Sequence, residues 1–121
     1  MKKKVNLVFA ALVFAAIAAF LTVEGAEAFC VHNNTDRTML ITQVSGGSFF
    51  GSFEENVQPG ETRCCNWQNH GCNTHGHQDS PVKFEVSYEV LKPRVCYSFE
   101  IRADGDLYVT GSNGNYSCSG Q

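Results

Sequence analysis

Seven side chains able to bind a metal ion fall within sixteen consecutive positions: Cys64, Cys65, His70, Cys72, His75, His77 and Asp79. His75 and His77 flank Gly76, and a glycine-bearing turn can swing both imidazoles inward to meet His70. Three such nitrogens suit zinc or copper, with Asp79 as a fourth ligand or as the carboxylate that orients one of the rings. The spacing matches no established zinc-finger or zinc-protease arrangement. A solvated polar loop without cofactor is therefore the preferred reading, and a zinc- or copper-binding protein using His70, His75 and His77 is the alternative.

Thiolate ligation is the weaker part of that idea, because the N-terminus directs the chain out of the cytosol. Lys2, Lys3 and Lys4 precede an uncharged, largely apolar stretch from Val5 to Val23, and Ala26-Glu27-Ala28 has the small-x-small form of a signal-peptidase site. The expected organisation is a signal helix over residues 1–28, cleaved to leave one domain over residues 29–121. The stretch is about long enough to cross a bilayer. No second apolar span follows, so no stable membrane insertion is expected after cleavage. A secreted or periplasmic location is oxidising, so Cys30, Cys64, Cys65, Cys72, Cys96 and Cys118 are expected in disulfides. Cys64 and Cys65 on a strand would leave opposite faces and take different partners. The preferred pairing joins Cys30 to Cys118 and gives Cys72 and Cys96 one each of the vicinal pair. The Cys-x-x-Cys of redox catalysts is absent.

A second candidate is the run from Gly46 to Phe53, where Phe49, Phe50 and Phe53 stand among small residues. On a loop they would anchor a partner or a membrane interface, as in a small membrane-active or inhibitory protein. On a strand, Phe49 and Phe53 would share one face and fill the core, the preferred reading for so small a domain. Trp67 is expected to pack against a disulfide, with ligand stacking as its secondary role. Asp104 and Asp106 flank Gly105 without the ligand spacing of a calcium loop. Asn33-Asn34-Thr35 and Asn115-Tyr116-Ser117 match the N-glycosylation pattern. No segment resembles a strained nucleophile turn, and the adjacent Glu54 and Glu55 would face apart on a strand, so no catalytic residue is assigned.

The elements that must position these groups read as strands. Val82, Phe84, Val86, Tyr88 and Val90 alternate with polar residues, and Val95, Tyr97, Phe99 and Ile101 repeat the pattern after Lys92-Pro93. Asp104-Gly105 then reads as a turn into Leu107 to Val109, giving three consecutive antiparallel strands. Upstream, strands are expected at Phe29–His32, Thr38–Val44, Phe49–Val57 and Thr62–Trp67, with turns at Asn33–Asp36 and Gln58-Pro59-Gly60. Tyr116–Cys118 adds a last short strand after Asn113-Gly114, and Gln68–Ser80 is left as a long exposed loop pinned at Cys72. The predicted fold is all-β: a small antiparallel sandwich or barrel-like domain stapled by disulfides.

After Ala28 the chain carries six Lys and Arg against ten Asp and Glu. That mildly acidic balance offers no cationic stripe for nucleic acid and no attraction to anionic lipid. The sequence thus leads to an exported, monomeric, non-enzymatic binding or structural module that presents the Gln68–Ser80 loop to a protein or small ligand.

Overall fold

The computed structural model describes residues 28–49, 51–88 and 94–121. Of the expected signal helix, residues 1–27 lie outside these residues, as do Phe50, Val90 and the Lys92-Pro93 connection, while Ala28 already belongs to the first strand. Eight strands follow one another: β1 Ala28–Thr35, β2 Met39–Ser45, β3 Glu54–Val57, β4 Thr62–Asn66, β5 Pro81–Ser87, β6 Arg94–Arg102, β7 Asp106–Ser112 and β8 Asn115–Gly120. They form two four-stranded sheets, one ordered β4-β1-β7-β8 and the other β3-β2-β5-β6.

Alternating side chains explain why the sheets face each other. Phe29 and Val31 of β1 and Leu107 and Val109 of β7 point inward from the first sheet. Met39 and Ile41 of β2 and Val82, Phe84 and Val86 of β5 meet them from the second. Phe29, Phe53 and Phe84 pack edge to face at the centre, with ring centroids 5.1 to 6.1 Å apart. Among the described residues no helix is long and apolar enough to cross a membrane.

The fold departs from the predicted one in three places. First, β1 pairs with β7 in parallel, so the sandwich is not wholly antiparallel. The Asp104-Gly105 turn carries the chain from one sheet to the other instead of closing a hairpin, and β7 lands beside the first strand. Second, the alternation of β6 is broken at Tyr97 and Ser98. The register jumps from Phe84↔Phe99 to Val86↔Cys96, Ser98 takes φ 51°, and Tyr97 turns out to 63 % exposure. Third, only Glu54–Val57 of the expected Phe49–Val57 strand is extended in a sheet, while β1 continues through Asn33 to Thr35, where a turn was expected.

All six cysteines are bridged, with different partners from those expected: Cys30–Cys64, Cys65–Cys72 and Cys96–Cys118. Strand pairing explains the correction. β1 lies beside β4 with Cys30 directly opposite Cys64, which leaves Cys118 to join β8 to β6 at the other side of the sandwich. Cys64 and Cys65 do leave opposite faces: Cys64 is exposed, and Cys65 packs against the core.

Candidate functional site

Two regions gather side chains with chemical potential. The first is the end of the sandwich where the β2–β3 loop meets the long β4–β5 loop. Gly51 and Gly71 touch there so closely that a Cβ on Gly51 would sit 2.7 Å from the Gly71 Cα. The Ser48 amide donates to the Gly71 carbonyl at 2.8 Å, and the Thr74 amide donates to the Gly46 carbonyl at 2.9 Å. Gly46 has φ +88°, and a Cβ on it would meet the Pro81 carbonyl oxygen at 2.7 Å, so this corner requires glycine.

Three buried residues organise the end from beneath. The Gln43 amide nitrogen donates to the Cys72 carbonyl at 2.7 Å, while its oxygen accepts from the Phe53 amide at 3.1 Å. Asn73, fully buried, donates to the carbonyls of Trp67 at 2.8 Å and His77 at 2.9 Å. Cys72, also fully buried, is bridged to Cys65. The Trp67 Nε1 and the Asn73 Oδ1 are buried without a hydrogen-bond partner among the described residues. Trp67 itself packs against the core, partly buried.

The chemistry-bearing side chains lie outside this scaffold. His70, His75, His77 and Asp79 are all exposed. The His70 ring lies against the backbone of Gly76, where a Cβ would approach its Cε1 at 3.1 Å, so one imidazole is held on the turn that carries the other two. Among the described residues no three of His, Cys, Asp and Glu are gathered as a metal site would need, so the four expected ligands do not converge as they stand. The phenylalanine cluster is also divided. Phe49 is 91 % exposed, Phe53 is in the core, and Phe50 lies outside the described residues. Neither a shared core face for Phe49 and Phe53 nor a common anchor of the three survives, because the chain leaves extended structure before Phe53.

The second region is the outer face of the β4-β1-β7-β8 sheet, and the sequence did not point to it. His32 of β1 stands between Thr62 of β4 and Tyr108 of β7 in one register row. Its Nδ1 lies 3.0 Å from the Thr62 hydroxyl and its Nε2 lies 2.8 Å from Asp106 Oδ1. The ring stacks on Tyr108 with centroids 4.6 Å apart and planes 12° apart. A carboxylate only accepts, so Nε2 donates to Asp106, while the Thr62 hydroxyl, able to donate or accept, completes the pair at Nδ1. His32 and Asp106 are 74 positions apart, and only the parallel β1–β7 pairing, which sequence periodicity does not reveal, brings them together.

Other singled-out residues have structural roles. Asp104 takes both its hydrogen bonds from Arg102, at 3.0 and 3.2 Å. Asn33 is fully buried, and its amide nitrogen is spent on the carbonyls of Arg37 and Val57, so a glycan on it is incompatible with this fold. Asn115 is exposed. Asp36 accepts from the Tyr116 hydroxyl at 2.6 Å and from the Asn113 amide at 3.1 Å. The Tyr116 hydrogen bond, then the Asn113 amide, hold its carboxyl below the usual range, and the same bond to Asp36 raises the Tyr116 hydroxyl. No protein-family model and no curated protein matches this chain.

Proposed function

We propose that this protein is an exported, non-enzymatic binding or structural module that acts as a monomer and makes contact through the composite loop end. One observation carries the reading: buried Asn73, Gln43 and the Cys65–Cys72 bridge fix the loop backbone, while His70, His75, His77, Asp79 and Phe49 are turned outward. A surface ordered before contact loses less entropy on binding, which is what a recognition loop requires. Export is supported by the N-terminal pattern of residues 2–28 and by three disulfides in so short a domain.

The Thr62–His32–Asp106 relay resembles part of a hydrolytic triad but does not alter this reading. Thr62 sits on a regular strand instead of a strained turn, and its hydroxyl is hydrogen-bonded to His32 alone among the described residues. Reproducible turnover in a hydrolytic screen, lost in His32→Gln, would contradict the non-enzymatic reading.

The His70 ring resting on Gly76 favours a second reading, in which zinc or copper draws His70, His75 and His77 together with Asp79 beside them. Native mass spectrometry of the oxidised protein, before and after zinc or copper, separates the two. A partner-binding loop retains no metal after desalting. A metal protein retains one equivalent, loses it in the triple alanine variant at His70, His75 and His77, and releases it on acidification, as protons compete for the imidazoles.

A further inference from the structure

The sheet face around His32 differs from an ordinary polar exterior in being built from side chains that fix one another. Register places Thr62, His32, Tyr108 and Ser119 in one row across all four strands. Asn34, Thr110 and Ser117 form the adjacent row, and Asp106 lies beside Cys30 on the other side. At the usual strand spacing such a row is about 14 Å across. His32 spends both ring nitrogens and one ring face on Thr62, Asp106 and Tyr108, so it is a strut that sets the carboxylate and the phenol relative to each other. The side chains of His32 and Asp106 are only 23 % and 36 % exposed, which limits their freedom before any ligand arrives.

Several groups remain for a ligand. Asp106 Oδ2, the Tyr108 hydroxyl, the Asn34 carboxamide and the Ser119 hydroxyl have no partner among the described residues. Thr110 and Ser117 hydroxyls face each other at 3.4 Å. The chemistry of the set selects the ligand class. A protein interface is centred on several desolvated apolar or aromatic anchors, and these rows offer Tyr108 alone, with one ring face already on His32. An anionic polymer, nucleic acid included, needs cations, and the charged group on the rows is the Asp106 carboxylate. A neutral polyol matches what is present. Its adjacent hydroxyls pair with a carboxylate, a carboxamide and serine or threonine hydroxyls, and its C–H face packs on an aromatic ring.

We infer that the outer face of the β4-β1-β7-β8 sheet binds a neutral oligosaccharide, with Tyr108 as the stacking platform, Asp106 and Asn34 as hydrogen-bonding readers and His32 as the positioning residue. This site lies on different strands from the loop end and stands or falls independently of it. The test is affinity electrophoresis of the oxidised protein through gels containing soluble starch, mixed-linkage β-glucan, xylan or galactomannan, with heparin as an anionic comparison. At least one neutral polymer is expected to retard the wild type. Tyr108→Ala and Asp106→Asn should each weaken that retardation about tenfold, and Asn56→Ala, at an exposed position on the other sheet, should leave it unchanged. Asn34→Ala, at an exposed position with no hydrogen bond to lose, provides the reading if Tyr108→Ala fails to fold. The inference is overturned if no neutral polymer retards the wild type, if heparin alone does, or if folded Tyr108→Ala and Asn34→Ala both migrate as wild type does.

Discussion

The loop end and the outer sheet face order their chemical groups in opposite ways, and the adjacent Cys64 and Cys65 divide between them. Cys65 turns inward and ties β4 to the long loop through Cys72; Cys64 turns outward and ties β4 to β1 beside His32. At the loop end, buried amides hold the backbone and leave the histidines outward. On the sheet face, regular pairing holds the backbone, and the histidine is committed to its neighbours. Closeness in sequence thus gathered potential ligands that do not converge, whereas residues 74 positions apart meet through strand register. Shared register places side chains more firmly than shared membership of a loop.

The largest expected effect separates the two bridges. Cys30–Cys64 closes a span of 34 residues and Cys65–Cys72 a span of 7. Replacing the first pair with alanines should cost about 4 kcal/mol in urea unfolding and the second about 2–3 kcal/mol, on the chain-entropy dependence on loop length. Only the second should release the loop amides to exchange. Accessibility sharpens the contrast: Cys64 is exposed and Cys72 fully buried, so limiting reductant followed by alkylation should label Cys64 before Cys72. Labelling of Cys72 first would mean the loop end opens more readily than the sheet.

A smaller effect tests which side chains build the loop end. Asn73→Ala leaves the Trp67 and His77 carbonyls without their donor in a buried setting, so a loss of about 1–3 kcal/mol is expected. His75→Ala, at an exposed position, should stay within about 0.5 kcal/mol. Equal losses at the two positions would show that the histidines belong to the scaffold.

The smallest effect concerns acid. The folded-state pKa of Asp36 is depressed by Tyr116 and the Asn113 amide, so its contribution is present above the ordinary carboxylate value and fades as pH falls through the lowered one. Stability should therefore decline below about pH 4, and Asp36→Asn should flatten that decline without changing the pH response of either candidate site. An Asp36 carboxyl titrating by NMR at or above its ordinary value would contradict the assignment.

These contrasts explain what was legible in the sequence. The strands β2, β5 and β7 were visible through alternation, because each buries one face in the core, and β4 and β8 through the turn residues that precede them. The polar run Asn33-Asn34-Thr35 reads as a turn but is strand, since Asn33 and Thr35 bury their polar atoms in a closed hydrogen-bond set with Arg37 and Val57. Disulfide partners and the His32 cluster depend on which strands become neighbours, and local periodicity carries no information about that. The Gln68–Ser80 segment was recognisable as a loop pinned at Cys72, but its internal order rests on Asn73 and Gln43, whose amides are spent on distant carbonyls.

The most direct measurement is amide hydrogen exchange of the oxidised, metal-free protein, repeated with zinc. The Ser48, Cys72, Asn73, Thr74 and Ala103 amides, all donors to loop or turn carbonyls, should be protected like strand amides before any metal is added, and unchanged after it. Exchange of these amides at unstructured rates, with protection arising only when zinc binds, would contradict a preformed recognition loop and make His70, His75 and His77 the organising centre.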